Sequence, residues 1–166
     1  MLHYQGLLYR ALNPVYAREP LSGEGARRFG GRFNAKGTPA LYTSAALTTA
    51  IKEANQVGHL QPTTVVAYKA DINPLFDGSD RSALAEFDMT PELLAAADWR
   101  DRMLLDGIAP TQVFAQRLIG GGYAGLVIPS FVRGAEAHDR NVVLWKWGAD
   151  LPEQLLLIDD EERLKR

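Results

Sequence analysis

The stretch from Val15 to Pro39 is the feature that most limits what this chain can become. It is rich in Gly, Arg and small polar residues and carries neither the period-2 pattern of a strand nor the 3.6-residue pattern of a helix. A segment this long without regular structure, inside a compact domain, is either functional or disordered. Phe29, Phe33 and the glycines argue that it packs. Because it separates the first strand from everything that follows, strands and helices do not alternate in a βαβ rhythm, and an α+β fold is expected rather than a doubly wound sheet.

The flanking pattern fills in the elements. Leu7 to Leu12 reads as a first strand closed by Asn13-Pro14, and Ala40 to Thr43 as a short second one. Ser44 is the expected N-cap of a helix from Ala45 to Val57, ended by Gly58, with Leu47, Ala50, Ile51 and Ala54 as its apolar face. Lys52 points away from that face and Glu53 lies at its edge. Thr63 to Ile72 alternates Val66, Tyr68, Ala70 and Ile72 inward and stops at Asn73-Pro74. Thr90-Pro91-Glu92 opens a helix, with a capping hydroxyl, a proline at the first position and an acid at the positive end of the dipole. A further helix runs from Thr111 to Gly120-Gly121-Gly122, followed by strands at Leu126–Pro129, Asn141–Trp147 and Gln154–Ile158. The tail from Asp159 to Arg166 is charged.

A chain of 166 residues with 46% hydrophobic content suits one domain with its own core, spanning residues 1–166. The absence of cysteine removes disulfides and thiolate metal sites. His3, His59 and His138 are too widely spaced for a local metal motif, so no metal is expected. A net charge of −2 provides no electrostatic footprint for nucleic acid. No apolar run approaches the roughly 18 residues that span a bilayer, and the N-terminus lacks the basic and apolar regions of a signal peptide. A cytoplasmic location is expected.

Gly120-Gly121-Gly122-Tyr123-Ala124-Gly125 matches the dinucleotide fingerprint G-x-G-x-x-G in letters. The fingerprint needs a strand before it and a helix after it, so that pyrophosphate meets a helix N-terminus. The order here is reversed, and a helix stop with a tight turn is the reading that fits. Gly30-Gly31-Arg32-Phe33-Asn34 is different. Its glycines permit close backbone approach and Arg32 offers a planar fork to phosphate oxygens, although a glycine turn with a solvated arginine explains the same letters. Glu53 is likewise either a solvated boundary residue or a carboxylate projecting into a cleft shared with Tyr42. Ser130 follows an apolar strand without a G-x-S-x-G elbow, which disfavours a serine nucleophile.

Taken together, the run from Leu21 through Arg27-Arg28-Phe29-Gly30-Gly31-Arg32-Phe33-Asn34, then Gly37, Pro39, Leu41-Tyr42, Ser44, Ala50, Glu53, Pro129-Ser130 and Asn141, resembles the RES-domain toxins, named for an arginine, a glutamate and a serine. The match extends over nearly the whole chain. Phe33 stands where the family often has tryptophan, and Phe131-Val132 intervene before Arg133, so no role is carried onto Arg133.

The resemblance implies a fold like that of ADP-ribosyltransferase toxins and NAD as substrate, cleaved between nicotinamide and ribose. The ADP-ribosyl group would pass to phosphate, water or a protein acceptor. It also implies an Xre-type helix-turn-helix antitoxin that covers the active site. On this reading Glu53 supports the oxocarbenium-like transition state, Arg10 and Arg32 hold the pyrophosphate, and Tyr42 stacks on nicotinamide. Ser130 and Asn141 complete the NAD site. A non-catalytic nucleotide-binding module and an RNA-cleaving toxin are the competing classes.

Overall fold

The computed structural model describes residues 1–56, 59 and 61–165. Among these, β1 (Leu2–Leu12), β2 (Leu41–Ser44), β3 (Thr64–Asp77), β4 (Gly125–Pro129), β5 (Arg140–Leu144) and β6 (Glu153–Leu157) form one sheet in the order β1-β2-β5-β4-β3-β6. β1 also pairs with β3, from Leu12↔Thr64 to Leu2↔Leu75, so the first five strands close on themselves. Every pairing is antiparallel except β3 with β4. A parallel pair requires a long crossover, and residues 78–124 supply it. They carry α3 (Arg81–Ala85), α4 (Pro91–Leu94), α5 (Trp99–Asp106) and α6 (Pro110–Gly120). The helices α1 (Glu24–Phe29) and α2 (Leu47–Ala54) flank β2 in sequence. The fold is a single α+β domain.

Strand alternation divides the core in two. Val127, Val142 and Leu144 face inward and join Leu8, Leu41, Tyr68, Ile72 and Leu75 inside the closed sheet. Their neighbours Leu126, Ile128, Val143 and Trp145 face outward, against Phe33 and the helical crossover. There Phe76 meets Phe87, Phe114 and Tyr123 edge-on, with centroids 5.4, 5.7 and 5.4 Å away, the geometry that aromatic quadrupoles favour.

Several expectations change. The segment 15–39 contains the short helix α1, and β1 starts at Leu2 because its polar first residues still pair through backbone with β3. β3 does not stop at Asn73-Pro74. Proline lacks a donor but keeps its acceptor, and the Pro74 carbonyl takes the Ala124 N–H at 2.8 Å as the strand turns toward β4. Ser44 belongs to β2 and caps nothing; Ala46 is the N-cap of α2. The helix ends at Ala54, and the expected boundary at Val57 and Gly58 lies outside the described residues. Leu47 and Ile51 are 46% and 40% exposed, while Thr49 and Ala50 are buried, so the helix is turned from its apolar stripe. Lys52, expected to point away from the apolar face, is paired with the buried Asp139.

Candidate active site

A cleft of about 610 Å³ opens where β1, β2 and β5 meet α2 and the start of α5. Arg10, Arg32, Tyr42, Glu53 and Asn141 all line it. Ser130 stands behind Glu53 and joins the site through it.

Arg32 projects from a loop that is fixed on all sides. Gly31 N–H donates to the Asn34 carbonyl at 2.9 Å, and Asn34 N–H returns the bond at 3.3 Å. The buried Asn34 amide donates to the carbonyls of Ala26 and Thr38 at 2.8 and 2.9 Å. Gln112 of α6, fully buried, donates to the carbonyls of Gly31 and Asn34, and the Trp145 indole donates to that of Phe33 at 2.9 Å. Gly30 has φ +74°, a conformation that a side chain strains. A Cβ on Gly31 would collide with the Tyr42 ring hydroxyl.

Tyr42 contributes its ring to the cleft and its hydroxyl to this loop. The hydroxyl accepts from Phe33 N–H at 3.0 Å and donates to Asn34 Oδ1 at 2.5 Å. Burial pushes the phenol well above its ordinary range, so it stays protonated and a donor. The Arg32 guanidinium is half-committed as well. Nη1 donates to the carbonyls of Leu94 and Ala96 at 3.2 and 2.6 Å. Its plane lies near Phe131 and Trp99, at 5.2 and 5.9 Å from their centroids. Burial draws its basicity down, opposed by Tyr42 and by the negative charge of Glu53.

Glu53 is the most supported carboxylate facing the cleft. One oxygen, Oε1, accepts from Ser130 Oγ and from Asn141 Nδ2, each at 2.6 Å. The other, Oε2, accepts from Gln56 at 2.8 Å. Asn141 is itself aimed by Ser44, whose hydroxyl donates to Asn141 Oδ1 at 2.9 Å. A carboxylate has about four lone-pair sites, so one acceptor position on Oε2 has no donor among the described residues. Arg10 reaches the cleft from β1, with Nη1 donating to the Pro20 carbonyl at 3.3 Å.

The six residues singled out by sequence thus come together. Sequence reasoning missed Trp99 and Arg100, which line the cleft near Arg32 with the guanidinium of Arg100 4.8 Å from the Trp99 centroid. The adjacent aromatic–arginine pair was the available signal, but α5 has almost no apolar periodicity to draw attention to it. Gln112 and Asp139 were missed because most of their partners are distant in sequence, and Ser44, read as an N-cap, instead aims Asn141. Among the described residues, no cluster of His, Cys, Asp or Glu has the makings of a metal site. No helix among them is long and apolar enough to cross a membrane.

The chain is an α+β domain whose closed sheet bears a cleft lined by Glu53, Arg10 and Arg32. The RES domain model matches residues 7–165, and the chain belongs to the RES domain family. A solved structure shares the fold: a chain of the crystal structure of the M. tuberculosis MbcT–MbcA toxin–antitoxin complex superposes with a TM-score of 0.66 at 21% identity, covering 95% of this chain and 84% of that one. Among curated proteins no relative matches.

Proposed function

We propose that this chain is the toxin of a toxin–antitoxin pair and that it breaks the nicotinamide–ribose bond of NAD, passing the ADP-ribosyl group to an acceptor. The carrying observation is Glu53, a carboxylate with one oxygen fixed by two donors at 2.6 Å and, among the described residues, an acceptor position left on the other, in a cleft shared with Arg10 and Arg32. In the reaction the N–C1′ bond breaks and its electron pair leaves with nicotinamide, which becomes neutral without a proton. Positive charge moves onto the ribose, where a fixed carboxylate stabilises it. The acceptor oxygen then bonds C1′ and loses its proton to the surroundings.

Arg32 and Arg10 bind the pyrophosphate, because a guanidinium donates parallel hydrogen bonds to phosphate oxygens. Tyr42 presents its ring to the nicotinamide while its hydroxyl remains with the loop. Asn141 and Ser130 fix the carboxylate. Exposed residues rim the cleft, and an Xre-type helix-turn-helix antitoxin covers it. The similar structure's being a toxin–antitoxin complex supports an antitoxin as partner. The toxin acts in the cytoplasm, where NAD is available.

The test is incubation with NAD, with and without phosphate and cell lysate, with products identified by mass spectrometry. Free nicotinamide together with ADP-ribose, its phosphate ester or a labelled protein is the expected result. Recovery of intact NAD after long incubation overturns the reading in favour of a nucleotide-binding module.

A further inference from the structure

Glu53 sits on α2, its donors Ser130 and Asn141 lie far along the chain, and Asp139 links the two regions. Its side chain is fully buried. Oδ1 accepts from Thr49 Oγ1 at 2.6 Å, and Oδ2 accepts from Lys52 Nζ at 2.7 Å and from the Glu136 N–H at 2.8 Å. Both side-chain donors lie on α2, four residues and one residue before Glu53. Asp139 also accepts, through its backbone carbonyl, the N–H of Ser130 at 2.8 Å. Two residues on, Asn141 enters β5. One residue therefore touches the helix that carries Glu53 and one of its two donors, and lies two residues from the other.

Besides these bonds and those of Glu53 itself, α2 makes no other side-chain hydrogen bond to a distant element among the described residues. It has no side-chain N-cap bond, only Thr49 and Ala50 are buried, and Leu47 and Ile51 are substantially exposed. Residues four apart share a helix face, so gripping Thr49 sets the direction of Glu53. At a radius of about 6 Å, a rotation of about 10° moves a helix side chain by about 1 Å. That is enough to take bonds of 2.6 Å beyond hydrogen-bonding range. A buried ion pair is a poor way to gain stability, since apolar packing of the same volume does as well or better. The Lys52–Asp139 pair, buried at the carboxylate and partly exposed at the ammonium, suits a demand on geometry.

We propose that Asp139 is a positioning residue: held by Thr49 and Lys52, it fixes the rotation of α2 and the placement of Ser130 so that Glu53 meets Ser130 and Asn141 together. The proposal rests on the catalytic reading of Glu53 for its kinetic consequence, but its geometric consequence stands alone. The depressed proton affinity of the Asp139 carboxyl, caused chiefly by the bonds from Lys52 and Thr49, agrees with a permanently ionised anchor.

The test is Asp139→Asn in the full chain, compared with wild type for NAD turnover and for the side-chain amide signals of Asn141 by NMR. In folded variant, kcat falls roughly 10- to 100-fold while KM for NAD changes little, as expected for a misplacement of about 1 Å. The Asn141 amide signals move toward their positions in Glu53→Ala, where that acceptor is gone. Wild-type kcat per folded molecule with unmoved Asn141 signals overturns the proposal, because a merely structural Asp139 would lower only thermal stability. If Asp139→Asn does not fold, Lys52→Met decides on the same two readouts, since Lys52 is 36% exposed and can be shortened without opening the core. If the wild type leaves NAD intact, the enzymatic reading fails, and the Asn141 signals alone decide the positioning role.

Discussion

Replacing Glu53 by Gln isolates the charge from the shape. The amide oxygen can keep the place of Oε1, where Ser130 and Asn141 each donate at 2.6 Å. The new NH2 then takes the place of Oε2 and faces the Gln56 amide, which needs only to turn over to present its oxygen. Packing is preserved, and stability should move by no more than about 1 kcal/mol. What disappears is a unit negative charge beside the reacting ribose. At about 4 Å and an effective dielectric of about 20, a full charge pair is worth about 4 kcal/mol. NAD already carries positive charge on its nicotinamide ring, so only the part that migrates toward the ribose favours the transition state. Loss of about 2.7 kcal/mol or more, a fall in kcat of at least about 100-fold, is therefore expected, with NAD binding nearly unchanged. Nicotinamide release in single turnover measures the first quantity and titration calorimetry on the inactive variant the second. A Glu53→Gln protein that turns over within about fivefold of wild type would refute the reasoning and leave Glu53 as a tie between α2, Ser130 and β5.

Tyr42→Phe strands the Phe33 N–H and Asn34 Oδ1, both bonded to the lost hydroxyl; at about 1–3 kcal/mol for each orphaned group, urea unfolding should show a loss of about 2–4 kcal/mol, and an unchanged midpoint with unchanged slope would show that the hydroxyl is dispensable to the loop. Arg32→Ala should raise KM for NAD at least about tenfold by removing a pyrophosphate ligand and also lower the melting temperature, because the bonds to Leu94 and Ala96 go with it; an unaltered KM would restrict Arg32 to that stapling role. The folded-state pKa of Asp139 lies below the unfolded value of about 3.9, so its contribution to stability is complete above that value and is lost as pH falls below it. Urea unfolding at pH 5 and pH 3 should therefore show a steeper decline for wild type than for Asp139→Asn, and parallel declines would mean that the group is not specially stabilised.

What the sequence disclosed of the fold followed from how local each signal was. The alternation of Val66, Tyr68, Ala70 and Ile72 is buried as expected. The hydroxyl of Thr90 caps α4 by accepting the Leu93 N–H at 3.1 Å, and α6 stops at its glycines. These signals act within one turn or one strand. α1, α3 and α5 escaped because each is short and buries few side chains, so neither a moment nor a run marks them. Ser44 looked like an N-cap because its spacing to the helix is right, yet its hydroxyl finds Asn141 across the sheet instead. Lys52 reads as pointing away from an apolar face of Leu47, Ala50, Ile51 and Ala54. Its anionic partner lies 87 residues away, and no periodicity within α2 can report on that.

The same division runs through the site, and Arg32 shows why it matters. Its neighbours in sequence, Gly30, Gly31 and Asn34, disclosed a tight loop, but nothing local disclosed that two carbonyls near α5 would claim Nη1. With Nη1 taken, and with Phe131 and Trp99 near the guanidinium, only the edge formed by Nε and Nη2 makes no hydrogen bond among the described residues. That edge is itself a bidentate donor for phosphate. A guanidinium free at both ends could swing toward Glu53, whose charge already acts on it, and neutralise the carboxylate that the chemistry needs. Stapling Nη1 to backbone carbonyls prevents this and leaves one donor edge for the substrate. Arginine and glutamate can then work in one cleft without forming a salt bridge with each other, and none joins Arg32 to Glu53.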